Sequence, residues 1–144
     1  MVKDILAIGG QPGLYRLVSQ AKNGIIVESL VDGKRMPAYA ASKISALEDI
    51  AIYTDIDDIP LAEVFISIFE KGLSVDPKSD SNSLKNGFKE AIPNYDADRV
   101  YVSDMKKVFA WYRLLAEKEL ITKEIIATYR EEKEKEEADL SENS

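Results

Sequence analysis

Cysteine and histidine are both absent from this chain of 144 residues. Without cysteine there are no disulfides, thiolate nucleophiles or sulfur-ligated metals, and without histidine the commonest general base and metal ligand is missing. Carboxylate, lysine, tyrosine or serine chemistry remains, but no recognisable spacing of these residues indicates it. We therefore predict that the protein is not an enzyme and that it holds no cofactor and no metal.

Long apolar runs are also missing from the sequence. None approaches the ~20 residues that a membrane-spanning helix needs, and the apolar stretch at residues 5–8 stops at Gly9-Gly10. That stretch is too short for the core of a signal peptide. We expect no membrane partner and a cytoplasmic location.

Basic residues are the minority charge, with 19 lysines and arginines against 26 carboxylates and a formal net charge of −7. The last fifteen residues hold three basic and seven acidic side chains, so the chain before Arg130 carries only −3. Phosphate backbones repel an acidic protein at long range, which argues against nonspecific nucleic-acid binding. Local basic patches still act at short range, so RNA or DNA stays an alternative partner.

The N-terminal third predicts antiparallel strands. Asn23-Gly24 and Asp32-Gly33 suit type I′ hairpin turns, since both central residues of that turn need positive φ. They separate strands predicted at residues 14–20, 25–31 and 34–40, with a first strand at 3–8 and a fifth at 49–54 after a polar connector at 41–45. The glycine-rich turn at residues 9–13 precedes a strand, whereas a phosphate loop precedes a helix. A small SH3-like β-barrel is the leading topology, and a curved antiparallel sheet is the alternative.

After residue 58 the apolar residues recur at helical spacing. Leu61, Val64, Phe65, Ile68 and Phe69 form one stripe on a first helix. Further helices are predicted at residues 83–91, after a cap at Ser103 or Asp104, and after a cap at Thr122. The fold class is therefore α+β, with an antiparallel barrel-like domain at residues 1–58, a helical domain at 59–129 and a charged, disordered tail at 130–144.

Residues 94–98 begin like a calcium-binding loop, because Asn94, Asp96 and Asp98 place oxygens at its first, third and fifth positions. Arg99 then stands where the loop needs glycine, and Met105 where it needs a bidentate glutamate. The pattern therefore fails as a calcium site. We expect Asp96 and Asp98 to cap turns and Arg99 to form a local ion pair.

Candidate partner-binding residues fall into two groups. The strand group is Tyr15, Arg16, Lys34, Arg35 and Tyr39, and the group on the third helix is Lys106, Lys107 and Trp111. Tyrosines and cations together suit base stacking and phosphate contact, although charged strand edges also guard against aggregation. Trp111 suits either an interface anchor or a cover over the seam between helices and barrel. We interpret the protein as a noncatalytic interaction module for another protein, with nucleic-acid or ribosome association as the alternative.

Several segments together resemble a family of small bacterial proteins known as a domain of unknown function. They are residues 3–8, 13–15, 27–30, 34–39, 49–54, 98–101, 103–104 and 111–112. The resemblance spans residues 2–120 and implies a β-rich N-terminal region, a helical C-terminal region and a location in the bacterial cytoplasm. It implies no activity, so it assigns no catalytic or binding residue.

Overall fold

A computed structural model describes residues 1–11, 13–39 and 43–142, with strands first and helices after them. The strands are β1 (Ile5–Ile8), β2 (Tyr15–Ala21), β3 (Gly24–Ser29), β4 (Arg35–Tyr39), β5 (Ile44–Ala46), β6 (Ala51–Ile52) and β7 (Ile59–Pro60). The helices are α1 (Leu61–Glu70), α2 (Ser81–Ala91), α3 (Val102–Glu117) and α4 (Lys123–Glu142), and a 3₁₀ turn covers Leu47–Asp49. This order confirms the α+β class.

The main sheet is antiparallel, with strand order β4-β3-β2-β1-β5. Its edge strands β4 and β5 do not pair with each other in the described part of the chain, so the sheet is open and the predicted barrel is not confirmed. The predicted fifth strand at 49–54 was wrong as a member of this sheet. Residues 49–54 contain the end of the 3₁₀ turn, β6, which pairs with β7 in a separate two-stranded sheet, and Thr54, which forms an isolated bridge with Tyr95.

The fifth strand of the main sheet is β5, which begins within the segment predicted as a polar connector and ends one residue after it. Ile44 and Ala46 pair with Ile8 and Leu6 of β1, so their side chains continue an apolar face of the sheet. Because Lys43 and Ser45 alternate with Ile44 and Ala46, the sequence pattern is typical of a polar loop. The start of that connector and the predicted end of the fourth strand, residues 40–42, lie outside the described residues.

Both predicted chain reversals occur, but the type I′ geometry was wrong. Ala21 pairs with Gly24, so the first loop is Lys22-Asn23, and the described non-glycine residues with positive φ are only Asp4 and Glu119. The register shift between Leu17 and Ser19 sets this pairing. In the second reversal Gly33 has a φ of 75°, and Asp32 accepts a hydrogen bond from the Lys34 amide at 2.9 Å.

One hydrophobic core joins the strands to the helices. Ile5, Leu14 and Leu30 from the β region lie in the same buried cluster as Phe65, Phe88, Phe109 and Leu115 from the helices. The ring of Phe88 stands edge-on to Tyr95 at 5.1 Å and to Phe109 at 6.1 Å between ring centroids. The sheet and the helices are therefore packed on each other by side chains that neither could bury alone.

A second, smaller cluster lies on the other face of the sheet. Its buried members are Leu6, Ile8, Tyr15, Val27 and Ala38, and partly buried side chains of β4 and β5 pack against them. Alternation along β1 places Ile5 against the helices and Leu6 in this cluster. Since Val27 is fully buried on a face without helices, we infer that the strands bend around it.

The helices begin close to the predicted positions. Asp80 caps α2 by accepting from the Ser83 amide at 2.8 Å, which starts that helix two residues before the predicted range and lowers the pKa of Asp80. Thr122 caps α4 as predicted, accepting from the Ile125 amide at 3.2 Å. The predicted tail is described through residue 142 as a continuation of α4, and its described side chains are exposed. In the described residues, no helix combines the length and apolar character needed to cross a membrane.

Candidate functional site

A cleft of about 790 Å³ lies between one end of the main sheet and α3. Its apolar lining comes from the end of β1, from residues 50–53, and from the helix that faces them: Ala7, Ile8, Ile50, Ala51, Ile52, Val100, Val108, Ala110 and Trp111. Ile52, Val100 and Val108 are buried side chains of the main core, so they form its base. The volume falls within the ~300–1,000 Å³ typical of binding pockets.

The glycine-rich turn after β1 forms one side of the cleft. The Gly9 amide donates to the carbonyl of Lys43 at 2.7 Å, and the Gln11 amide donates to the carbonyl of Ile8 at 3.0 Å. Gly10 has a φ of 80°, a left-handed conformation that glycine adopts without strain. A Cβ atom on Gly9 would lie only 3.1 Å from Cβ of Lys43. The turn is thus built to bring Lys43 and β5 against the end of β1.

The opposite wall is one face of α3. Asp104, Lys107, Val108 and Trp111 follow each other at i, i+3, i+4 and i+7, so they share a side of the helix. Trp111 is partly buried and packs against the main core, which joins the sheet to the helices. It also lines the cleft, so its inner part supports the core while the rest faces the open space.

Four cations and one carboxylate line the cleft: Lys43, Arg99, Lys106, Lys107 and Asp104. The carboxylate of Asp104 accepts from the Tyr101 amide at 2.9 Å and so fixes the start of α3. No ion pair within 4.0 Å involves the three lysines in the part of the chain that the structure describes. The cleft therefore carries an excess of positive charge on a protein whose net charge is −7.

One end of the cleft is fixed by Arg99. Its Nε lies 2.7 Å from a carboxylate oxygen of Asp96, and its guanidinium stands over the Tyr53 ring at 4.3 Å from the centroid. The hydrogen bond from Arg99, together with the amide of Asp98, lowers the pKa of Asp96, and the same pair raises the pKa of Arg99. The predicted local ion pair of Arg99 is confirmed. Because Arg99 is neutralised in this way, the unpaired positive charge of the cleft lies at its lysines.

Thr54 organises the turn beside that end. It is 3% exposed, and its hydroxyl accepts from the amides of Ile56 and Asp57 at 3.2 and 3.1 Å and donates to the carbonyl of Asp57. Arg99 also donates to the Thr54 carbonyl at 3.4 Å. We call Thr54, Asp96 and Arg99 the polar latch, since they tie the chain after β6 to the loop before α3.

The structure separates the two predicted groups of partner-binding residues. Lys106, Lys107 and Trp111 come together in the cleft, but no member of the strand group lines it. Tyr15 is 6% exposed inside the smaller cluster, so its ring offers no face to a partner.

The cations of the strand group lie on the sheet instead. Arg16 and Arg35 both stand opposite Glu28, and Arg35 pairs with its carboxylate at 3.3 Å. Lys34 is exposed in the loop before β4, and Tyr39 ends β4 with a side chain outside the described part. This arrangement fits charged neighbouring strands better than a joint surface with α3.

Sequence reasoning missed Lys43, Tyr53 and Arg99 as lining residues of one cleft. Lys43 was assigned to a loop because β5 is short, and Arg99 was assigned only to an ion pair. A threonine directly before Asp-x-Asp at residues 54–57 was the available signal for a side-chain-stabilised turn at this position. Their convergence depends on how the sheet packs on α3, which no local pattern specifies.

Both the strand region and the helical region of the chain are similar to known proteins. Two family models match it, a domain of unknown function (DUF5606) at residues 2–47 and a domain of unknown function (DUF6852) at residues 50–115. A solution NMR structure of a protein from Bacteroides vulgatus is similar with a TM-score of 0.71 and 43% identity, over 85% of this chain and 90% of that one. The comparison with curated proteins gives no match.

Proposed function

This chain belongs to the family of that Bacteroides vulgatus protein, with the two domains of unknown function in succession, and we propose that it is a noncatalytic interaction module. In this proposal the cleft between the sheet and α3 docks a segment of a partner protein. The segment is acidic and carries an apolar side chain. The cytoplasm is the proposed location.

The observation that carries the proposal is the excess of cations around an apolar base. Lys43, Lys106 and Lys107 meet no carboxylate within ion-pair distance in the described residues, while buried aliphatic side chains and Trp111 lie between them. Complementary charge steers a partner to a surface and fixes its orientation, and a buried apolar anchor supplies most of the affinity. A partner that satisfies both features is a peptide with carboxylates flanking a leucine or phenylalanine.

The geometry favours binding over catalysis. The one carboxylate among the lining residues, Asp104, is already engaged by the Tyr101 amide at the start of α3. The described lining therefore offers no pair of carboxylates for acid and base roles.

A protein segment also suits this cleft better than a nucleic acid. One face of the Tyr53 ring is covered by Arg99, and Tyr15 is buried, so these two tyrosines do not form a joint stacking platform. Arg35 is paired with Glu28 on the sheet. The cations of the strand group therefore do not join Lys106 and Lys107 in one groove that a phosphate backbone could follow.

Trp111 makes the proposal directly testable, because it is the only tryptophan of the chain and it lines the cleft. We expect its fluorescence emission to shift in a saturable way when a tryptophan-free peptide of glutamates around one central leucine is added. The same peptide with glutamine in place of glutamate should bind at least about tenfold more weakly, equal to about 1.4 kcal/mol.

Two matched variants give the control. The double variant Lys106→Glu with Lys107→Glu should abolish the shift of the Trp111 emission. The double variant Lys85→Glu with Lys89→Glu makes the same change of charge on α2, away from the cleft, and should retain the shift. A single-stranded RNA oligonucleotide should leave the emission unchanged. Absence of peptide binding would refute the proposal, and RNA binding that weakens steeply with salt would replace it with the nucleic-acid alternative.

A further inference from the structure

The outer part of α4 contacts little else in the described structure. Arg130 is the last residue tied to another element, donating to both carboxylate oxygens of Glu70 on α1 at 2.7 and 2.9 Å. Beyond it, the described bonds and cation–π contacts are those of Lys133, with Glu136 and with the Tyr129 ring of the same helix. We call residues 131–142 the arm; its side chains are exposed wherever they are described.

The arm has the chemistry that the cleft requires. It holds seven acidic and two basic residues, which account for five of the seven net negative charges of the chain. Leu140, near its end, is 71% exposed and stands among these carboxylates. A helix that is polar on all sides and has few tertiary contacts has little to stabilise it. Docking of the arm would supply the contacts that it lacks in the isolated chain.

The arm does not lie in the cleft of its own chain. The lining of the cleft contains no residue beyond Trp111, and α4 is continuous from Lys123 to Glu142. The arm therefore leaves the cleft of its own chain open, and the cleft of another copy can receive the arm as a continuous helix.

We infer that the arm of a second copy of this chain occupies the cleft, with its carboxylates on Lys106 and Lys107 and Leu140 on the apolar base. The inference rests on the proposed function and adds its regulation. Two copies exchange arms around a twofold axis and close each other's clefts. An acidic partner then has to displace the arm, so free clefts are favoured when the protein is dilute.

Sedimentation velocity over about two decades of protein concentration tests the inference, because reversible association depends on concentration. We expect the full chain to pass from monomer to dimer. Lys106→Glu with Lys107→Glu in the cleft, or Glu134→Lys with Glu137→Lys in the arm, should each weaken dimerisation at least about tenfold. Lys85→Glu with Lys89→Glu should not weaken it.

Mixing the two charge-reversed chains gives the decisive test. Alone, the cleft variant sets an acidic arm against an acidic cleft, and the arm variant sets a basic segment at 133–137 against a basic cleft. A mixed pair combines the unchanged acidic arm with the unchanged basic cleft on one side, and the basic segment at 133–137 with the acidic cleft on the other. We expect the mixed dimer to form although neither variant dimerises alone. Failure of the mixture to associate, or a dimer insensitive to the cleft lysines, would overturn the inference.

Peptide binding distinguishes failure of the inference from failure of the proposed function. A chain that stays monomeric at all concentrations, yet shows the Trp111 emission shift with the acidic leucine peptide, refutes the arm exchange and keeps the docking cleft. A monomeric chain without that shift refutes both. Dimerisation abolished by Leu140→Ser, with unchanged peptide binding, supports both.

Discussion

The hydroxyl of Thr54 bonds to three backbone groups beside the cleft, and Thr54→Val removes all three bonds while nearly keeping the shape of the side chain. A hydrogen bond of this kind contributes about 1 kcal/mol net. Ile56 and Asp57 are exposed, so water can reach their amides and replace part of what is lost. We therefore expect Thr54→Val to lower the free energy of unfolding by about 2 kcal/mol, rather than by the larger penalty of fully buried unpaired groups.

Urea unfolding gives the total effect, and amide hydrogen exchange shows where it arises. The amides of Ile56 and Asp57 should exchange at least about tenfold faster in Thr54→Val. Thr54→Ser is the matched control, because it keeps the hydroxyl and loses only one buried methyl group. We expect it to lower the free energy of unfolding by about 1 kcal/mol and to leave the amides of Ile56 and Asp57 protected from exchange. A Thr54→Val protein within about 0.5 kcal/mol of the wild type, with unchanged exchange at both amides, would refute the role of the polar latch.

Two further predictions concern other parts of the fold. Burial, together with the nearby Glu63 carboxylate, raises the pKa of Tyr129 to about 12, and the Tyr129 hydroxyl lies 3.4 Å from an oxygen of that carboxylate. The unfolded pKa of a tyrosine is about 10. The stability that the protonated hydroxyl contributes is therefore fully present below about pH 10 and is lost as the pH rises toward 12. Between those pH values the unfolding free energy should fall less steeply for Tyr129→Phe than for the wild type, and parallel curves would contradict this. Gly87→Ala would place a Cβ atom 2.6 Å from Cγ2 of Val75, so we expect a net loss of about 1 kcal/mol although alanine favours the helix. Adding Val75→Ala should restore part of that loss in urea unfolding, and strictly additive losses would exclude the clash as its cause.

Helical periodicity predicted α1 and α2 well because both helices bury a stripe that the sequence displays. Leu61, Val64, Phe65 and Ile68 were assigned inward and are all buried in α1. The same reasoning placed Leu84 and Phe88 correctly on α2. In each case the 3.6-residue repeat coincides with the face that meets the core, so local pattern and tertiary packing agree.

The strands were harder to predict because pairing across the sheet decides them. Residues 49–54 look like a strand with Ile50 and Ile52 on one face, yet Leu47–Asp49 forms a 3₁₀ turn and the strand that follows covers only Ala51–Ile52. β5 has three residues and gains its strand character from its partner β1. Strand propensity reflects packing against neighbours, so short strands are invisible until the neighbours are known.

The candidate site was only partly predictable for the same reason. Lys106, Lys107 and Trp111 are close in sequence on one helix, and they were identified together. Lys43 reaches the same cleft through the bond between its carbonyl and the Gly9 amide, a contact across more than thirty residues of sequence. Charge and aromatic content identified candidate residues, but only the packing of sheet on helix showed which of them meet.

The cleft also bears on how the two matched family segments relate to each other. The segment at residues 2–47 supplies the glycine turn, Lys43 and the end of β1, while the segment at 50–115 supplies residues 50–53, Arg99 and the face of α3. Neither contribution alone encloses the cleft, and the main core likewise combines side chains from both. If the cleft is the binding site, its function therefore belongs to the pair of segments, and a protein with only one of them would retain a wall of the site without the site itself.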